Sequence, residues 1–269
     1  MYNITPAGGH IVNYLENYYT NNDEEVRFDK KYNLIEFLTT MHYIKKYLPQ
    51  NAAVLEIGAG TGRYSRTIAD MGFQVEAVEL VPHNIEIFRS LTTPIQNINI
   101  TQGNALNLSM FPGNTFDVTL CLGPMYHLYT EADKRKAISE ALRVTKPGGV
   151  VFVAYVISDG AILENLNSTW FLDYVDNGKI NPVTFATTST PEDIFELVRK
   201  EDIDRLMAQF NVERLHYVAT DMVSRLIRED IALMTDETFD MYMRYHFAVC
   251  ERPDMVGMTN HSLDIFKKL

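Results

Sequence analysis

The residues best suited to chemistry fall in one short span. Val54-Leu55-Glu56-Ile57 is apolar except for one carboxylate and runs straight into Gly58, Gly60 and Gly62. Glycine is used where the backbone turns with positive φ, or where a ligand must approach without a Cβ in the way. A strand, a glycine loop and a helix in immediate succession place a nucleotide-like ligand at the carboxyl end of the strand. The same glycines also suit a tight strand-to-helix turn with no ligand, so residues further along must decide. Gln74–Glu79 predicts a second strand closed by an acid, Glu79. In dinucleotide-binding and related folds that position accepts hydrogen bonds from a ribose diol. Asn97–Ala105 predicts a third strand and a polar turn, and Phe116–Pro124 a fourth strand with its exit loop.

With these segments in place, the chain resembles the class I S-adenosylmethionine-dependent methyltransferases over about residues 50–157, and more weakly to the C-terminus. The resemblance implies an α/β fold: a doubly wound, seven-stranded, mostly parallel Rossmann-like sheet with helical cap insertions. It also implies S-adenosylmethionine as cofactor and assigns roles residue by residue. Gly58, Gly60 and Gly62 pass under the methionine and ribose portions, while Glu56 orders the loop and reaches the methionine amino group directly or through water. A carboxylate in so apolar a strand calls for a nearby partner. Glu79 takes both ribose hydroxyls. Leu80 packs on the adenine face, or is an ordinary core leucine. Asn104 Oδ1 accepts from the exocyclic amine and the Ala105 N–H donates to the ring. Asparagine stands where the family often has an acid, keeping the acceptor but giving up the charge, and a simple turn-forming role is the alternative. Leu122, at the exit of the fourth strand, completes the cofactor set.

Related chemistries fit less well. A nicotinamide-dependent dehydrogenase fingerprint needs glycine at its first, third and sixth positions, and the sixth position from Gly58 is Arg63. Methylation of base or glutamine amides uses a polar side chain ahead of a proline turn, where this chain has Gly123-Pro124-Met125-Tyr126. Arsenic methylation needs several thiolates, and only Cys121 and Cys250 are present. Methyl transfer to a small-molecule N, O or C acceptor remains. A protein or RNA substrate, or cofactor binding without turnover, are the alternatives.

His127, with Tyr126 beside it, is the candidate general base, since histidine titrates near neutrality; otherwise it orients its loop. His246 with Tyr245, and the Asn260-His261 pair, are further pocket candidates. No metal site is expected.

Several elements must position these residues. Residues 8–48 predict two helices, the second carrying Leu34, Ile35, Leu38, Met41 and Ile44 on one face and ending at Pro49. Strands and helices then alternate over 53–157, as a parallel sheet with crossovers requires. Thr130, with Asp133 three residues on, starts a helix that Lys146-Pro147-Gly148-Gly149 stops before a strand over Val150–Val156. A domain organisation follows: an N-terminal helical cap over 1–49, a cofactor-binding core over 50–157, a cap insertion over 158–199, and the rest of the core over 200–269 with a helical insertion at 220–262. Within that last part, Lys200–Phe210 reads as an amphipathic helix, Val212–Ala219 as a strand, and Leu263–Lys267 as the final strand. Tyr14, Tyr18, Tyr19 and Phe28, with Phe239, Tyr242, Tyr245 and Phe247, are expected to enclose a mostly apolar pocket.

Composition fits this reading. With 269 residues the chain is long enough for a full doubly wound sheet. Its 46% hydrophobic and 22% charged residues are those of a globular protein. The formal net charge of −11, from 24 Lys+Arg against 35 Asp+Glu, leans against a nucleic-acid partner. Two cysteines are too few for a disulfide framework. The longest apolar run, Val150–Ile157, is too short to span a bilayer. The N-terminus lacks the basic and apolar regions of a signal peptide, which makes the cytoplasm the expected compartment.

Overall fold

A computed structural model describes residues 6–22 and 25–269, with side chains from Tyr14 onward in the first helix. Residues 1–5, on which the signal-peptide reading partly rests, lie outside the described residues. The chain opens with α1 (Pro6–Asn21) and α2 (Lys31–Tyr47). It then alternates through β1 (Ala53–Ile57), α3 (Arg63–Asp70), β2 (Gln74–Glu79), α4 (Pro82–Leu91), β3 (Ile98–Gln102), β4 (Phe116–Cys121), α5 (Glu131–Val144) and β5 (Thr145–Ile157). The remainder comprises α6 (Ser158–Asn165), α7 (Thr169–Asp176), β6 (Leu197–Val198), α8 (Lys200–Met207), β7 (Val212–Ala219), α9 (Arg228–Leu233), α10 (Asp236–Val249) and β8 (His261–Lys268).

The sheet runs in the order β3-β2-β1-β4-β5-β8-β7. Strands β1 to β5 are mutually parallel, and β8 enters antiparallel between β5 and β7. Strand order reverses between β1 and β4, and at such a switch point the loops leaving the two strands diverge and open a crevice at their carboxyl ends. The central strands are buried on both faces: β1 is an apolar run broken only by Glu56, and in the alternating β4 even Thr119 is fully buried. Phe152 and Phe266 are fully buried between sheet and helices, and each such side chain contributes roughly 1.5–3 kcal/mol by leaving water. Thr130 caps α5 by accepting a hydrogen bond from Asp133 N, as its spacing predicts.

Four details differ from the sequence expectation. Strand β5 begins at Thr145, directly after α5, because Phe116 pairs with Thr145 and Val118 with Val150. Lys146–Gly149 therefore bulge from the strand instead of preceding it, helped by Gly148 at φ +78°. Helix α8 stops at Met207, one turn before Phe210. An eighth strand, the two-residue β6, adds to the expected seven by pairing in parallel with the end of β5. Finally, β8 starts at His261 and not at Leu263, which sets His261 opposite Val156. Because β8 is antiparallel, its first residue lies at the carboxyl end of β5, on the crevice side of the sheet.

The late helices serve a different neighbour from the one expected. Phe239 and Met243 of α10, with Ile231 of α9, pack on Ile35 of α2 in a small cluster of their own. Tyr245 is exposed, and His246 is buried with Nε2 bonded to Thr39 Oγ1 at 2.8 Å. These rings cover α2 and do not line the crevice.

Candidate functional site

The three glycines of the β1–α3 loop all have positive φ: +72° at Gly58, +54° at Gly60 and +82° at Gly62. Their surroundings separate them. A Cβ on Gly58 would meet Pro124 Cδ at 2.6 Å, and one on Gly62 would meet the Phe88 ring at 2.2 Å. A Cβ on Gly60 meets nothing within 4 Å. Gly58 and Gly62 are thus closed by the protein's own packing, whereas Gly60 faces open space in a cavity of about 650 Å³. That is the cradle a close-lying ligand needs.

Two buried acids flank the cradle. Glu79 Oε2 accepts from Gly60 N at 2.8 Å, and Oε1 accepts from Val81 N at 2.9 Å. Burial pushes its carboxyl up, and these hydrogen bonds partly oppose the shift. Glu56 Oε2 accepts from Ser65 N at 3.0 Å and from the Ser65 hydroxyl. Burial raises the Glu56 carboxyl to about 8, against the lowering effect of Ser65. Glu56 Oε1 has no hydrogen-bond partner among the described residues and is not sealed from the cavity it lines. A carboxylate so placed suits an incoming ammonium group.

Leu80, Asn104, Ala105 and Leu122 line the same cavity. Asn104 Oδ1 accepts from Leu106 N at 2.9 Å, which is the turn-forming use of asparagine; one lone pair of that oxygen remains. The Ala105 N–H has no acceptor among the described residues. Tyr126 and His127 follow in the short turn Pro124–His127 at the exit of β4. The Tyr126 hydroxyl titrates far above its usual range, chiefly through burial and then through the nearby Glu36. His127 is more constrained than its sequence position suggests. Its Nδ1 donates to the Ile194 carbonyl at 2.8 Å, so Nε2 accepts from the Tyr19 hydroxyl at 2.9 Å. Burial lowers its pKa to about 4. Both ring nitrogens are therefore committed in this structure.

The far end of the cavity holds a polar cluster that the sequence reading missed except for Asn260 and His261. Glu36 of α2 pairs with Arg27. His261 Nδ1 lies 2.8 Å from Asp221 Oδ2 and 3.4 Å from Glu36 Oε2. Asp221 Oδ1 accepts from the backbone N–H groups of Asn260 and His261, at 2.9 and 3.0 Å. Although burial opposes it, the His261 and Arg225 interactions hold the Asp221 carboxyl well below the usual carboxylate range. Arg225 reaches Glu164 at 3.0 Å, and Glu164 also accepts from Asn260 Nδ2 at 2.8 Å. The expected mostly apolar pocket is therefore charged at one end. Atoms of Glu36, Asp221 and His261 lie within 4.8 Å of one another, near enough to hold a cation. Arg27 and Arg225 already supply positive charge to those carboxylates. One trace of this cluster was available in the sequence: Asn33, Glu36 and Thr40 share a face of α2 and are all buried.

Cover over the cavity comes from α1 and from residues 158–199. Tyr18 and Phe195 meet edge to face with ring centroids 5.4 Å apart, and Tyr19 meets His127 at 5.8 Å. Trp170 and Tyr174 of α7 line the same space. Of the four aromatic residues expected there from the N-terminal segment, Tyr18, Tyr19 and Phe28 line the cavity. Tyr14 is largely exposed and bonds to Glu192.

Residues 54–149 match the model of the family described as "Methyltransferase domain". The chain is 36% identical over 108 residues to a 2-methyl-6-phytyl-1,4-hydroquinone methyltransferase from Synechocystis, covering 40% of this chain and 33% of that protein. It is 31% identical over 133 residues to a demethylmenaquinone methyltransferase from Tropheryma whipplei, covering 47% and 53%. The chain thus spans about a third to a half of the length of these curated relatives. A solved SAM-dependent methyltransferase from Methanosarcina mazei shares the fold with a TM-score of 0.56 at 16% identity, over 84% of this chain and 97% of that one. No helix among the described residues is long and apolar enough to cross a membrane. With its cradle at the β1–β4 switch point, the core over residues 54–149 matches the methyltransferase-domain family and shares the fold of solved SAM-dependent methyltransferases.

Proposed function

We propose that this chain transfers the methyl group of S-adenosylmethionine to a small-molecule acceptor held beneath α1 and residues 158–199. The observation that carries the proposal is the open cradle at Gly60, flanked by Glu79 and by the unpaired oxygen of Glu56. In this reading Glu56 receives the methionine ammonium, Glu79 the ribose hydroxyls, and Gly58 and Gly62 fix the loop. Leu80 and Leu122 pack against the cofactor, while the Ala105 N–H and the remaining lone pair of Asn104 Oδ1 meet the adenine edge.

When bound, S-adenosylmethionine supplies a methyl group on a positively charged sulfur that leaves readily. The protein's part is to align the acceptor, exclude water and, for an acceptor that still carries its proton, remove it. The concave cavity of about 650 Å³, covered in part by α1 and residues 158–199, supports a small acceptor over a macromolecular one. Tyr126 and His127 lie at the carboxyl end of β4, beside the loop of β1, and help define where that acceptor sits. With both its nitrogens engaged, His127 fits the loop-orienting role better than that of a base.

Isothermal calorimetry with S-adenosylhomocysteine and with NAD tests the cofactor assignment: the first is expected to bind and the second is not. Labelled methyl donor incubated with small-molecule, protein and RNA pools then identifies the acceptor class. Absence of S-adenosylhomocysteine binding overturns the proposal.

A further inference from the structure

We propose that His261, oriented by Asp221 and Glu36, is the general base of this site, and that it serves an acceptor with a phenol-type hydroxyl. The inference rests on the cofactor reading above and extends it to the acceptor. His261 Nδ1 faces two carboxylates, Asp221 Oδ2 at 2.8 Å and Glu36 Oε2 at 3.4 Å, so Nδ1 carries the hydrogen. The other nitrogen, Nε2, then presents a lone pair. It has no hydrogen-bond partner among the described residues, and it is not sealed off, in a residue that lines the cavity. One nitrogen is thus held by acids and the other is open to the substrate space, the arrangement that orients an imidazole to take a proton.

Placement agrees with this role. His261 begins β8 opposite Val156, at the carboxyl end of the sheet. Its ring lies 5.8 Å from that of Tyr126, in the turn that follows Gly123. A Cβ on Gly123 would come within 3.0 Å of the Gly58 carbonyl oxygen, so this turn abuts the glycine loop. His261 therefore lies one aromatic ring beyond the turn that walls the cofactor cleft.

The charges around it pair off among themselves. The groups facing this corner are Glu36 and Arg27 from the α2 side, and Asp221 and Arg225 from the segment after β7. Glu164 comes from α6, backed by the exposed Arg228 at 3.7 Å. The Tyr126 hydroxyl feels Glu36 and Arg27, and His246, lowered to about 4 by burial, feels Asp221. An imidazole lone pair serves an acceptor that must lose its proton before it attacks the methyl group. A hydroxyl enters neutral, and the aromatic walls formed by Tyr18, Tyr19, Trp170 and Phe195 suit an aromatic ring behind it. In the step, the acceptor O–H proton passes to His261 Nε2 and an oxygen electron pair forms the O–CH₃ bond. The S–CH₃ bond breaks with its electron pair going to sulfur. The imidazolium between two carboxylates later returns its proton to water.

The test uses the full chain with S-adenosylhomocysteine bound and 4-nitrophenol as probe, because its phenolate absorbs in the visible. In the unaltered protein, bound 4-nitrophenol should ionise at a lower pH than it does free in solution, with the proton equilibrium displaced tenfold or more. His261→Gln should abolish that displacement, and Glu36→Gln should reduce it, with S-adenosylhomocysteine affinity unchanged in both. With labelled donor, His261→Gln should lose transfer to 4-methylphenol by about 10²–10⁴-fold. It should keep transfer to pentafluorophenol, which is already ionised at neutral pH. Equal ionisation in the unaltered protein and in His261→Gln overturns the proposal. So does failure of 4-nitrophenol to bind to a protein that does bind S-adenosylhomocysteine, an outcome that leaves the cofactor reading standing.

Discussion

The two ends of the cavity are built on opposite plans. The end proposed to hold the cofactor is contiguous: Glu56, the three glycines and Glu79 span two strands and one helix, and backbone hydrogen bonds within that unit set their geometry. The end proposed to hold the acceptor is assembled from distant segments: Glu36 from α2, Glu164 from α6, Asp221 and Arg225 after β7, and His261 from β8. A site made within one supersecondary unit survives wherever that unit folds. A site made from four segments exists only once the whole sheet and its caps have docked, and changing any one segment can alter it.

The strongest way to break this contrast is at Gly60. Gly60→Val should abolish S-adenosylhomocysteine binding by calorimetry while the chain still folds, because the new side chain enters open space and strains only the local φ. At the acceptor end no single residue should have that effect on cofactor binding. Retained binding in Gly60→Val would remove the loop from the cofactor site.

A smaller loss is expected from Glu79→Ala, about 1–3 kcal/mol of cofactor affinity, the cost of unpaired hydrogen bonds to a charged acceptor. The carboxylate also anchors Gly60 N and Val81 N, so the melting temperature should fall as well. A fall in melting temperature with unchanged affinity would give Glu79 a purely structural role.

Glu56 sharpens the comparison through protons. Burial raises its carboxyl from 4.5 to about 8, so the folded, ligand-free protein favours the protonated form. Its contribution to stability is complete below about pH 4.5 and is lost as pH rises toward 8. Glu56→Gln should flatten that part of the stability profile. An ammonium arriving at Glu56 favours the carboxylate, so S-adenosylhomocysteine binding at neutral pH should release a proton. Calorimetry in two buffers of different ionisation enthalpy measures this release, and Glu56→Gln should eliminate it. Equal proton release in the variant would place the source elsewhere.

The smallest effect is expected at His127. His127→Ala removes one bond to the Ile194 carbonyl and one to the Tyr19 hydroxyl, worth roughly 0.5–1.5 kcal/mol each. Hydrogen exchange should speed up in α1 and around Ile194, with cofactor affinity nearly unchanged. A 10²–10⁴-fold fall in turnover, with a lost ionisation in the pH–rate profile, would instead restore His127 as the base.

The parts of the molecule legible in the sequence are those whose physics is local. Three alternate glycines after an apolar strand, an acid closing the next strand and Thr130 ahead of Asp133 each encode a backbone geometry within a few residues. The sheet's strand–helix alternation followed from the same local periodicity, whereas the seven-stranded fold class was implied by the family resemblance. His127 was conspicuous for its position after β4, yet its engagement by Tyr19 and Ile194 depends on chain more than sixty residues away. The late aromatic residues Phe239 and Tyr242 looked like pocket walls because composition carries no direction; packing turned them onto α2.

The sequence by itself therefore determined the glycine loop after β1, the acid that closes β2 and the strand–helix alternation that carries them. The sequence offered Asn260 and His261 as pocket residues, but tertiary structure decided the polar cluster around them. It aligned β8 so that His261 opens it, brought Asp221 and Glu36 to one ring nitrogen, and left the other facing the cavity. The physical reason is range. Backbone turns and caps are fixed by neighbours along the chain, whereas a buried charge network exists only when distant segments pack closely enough to satisfy one another.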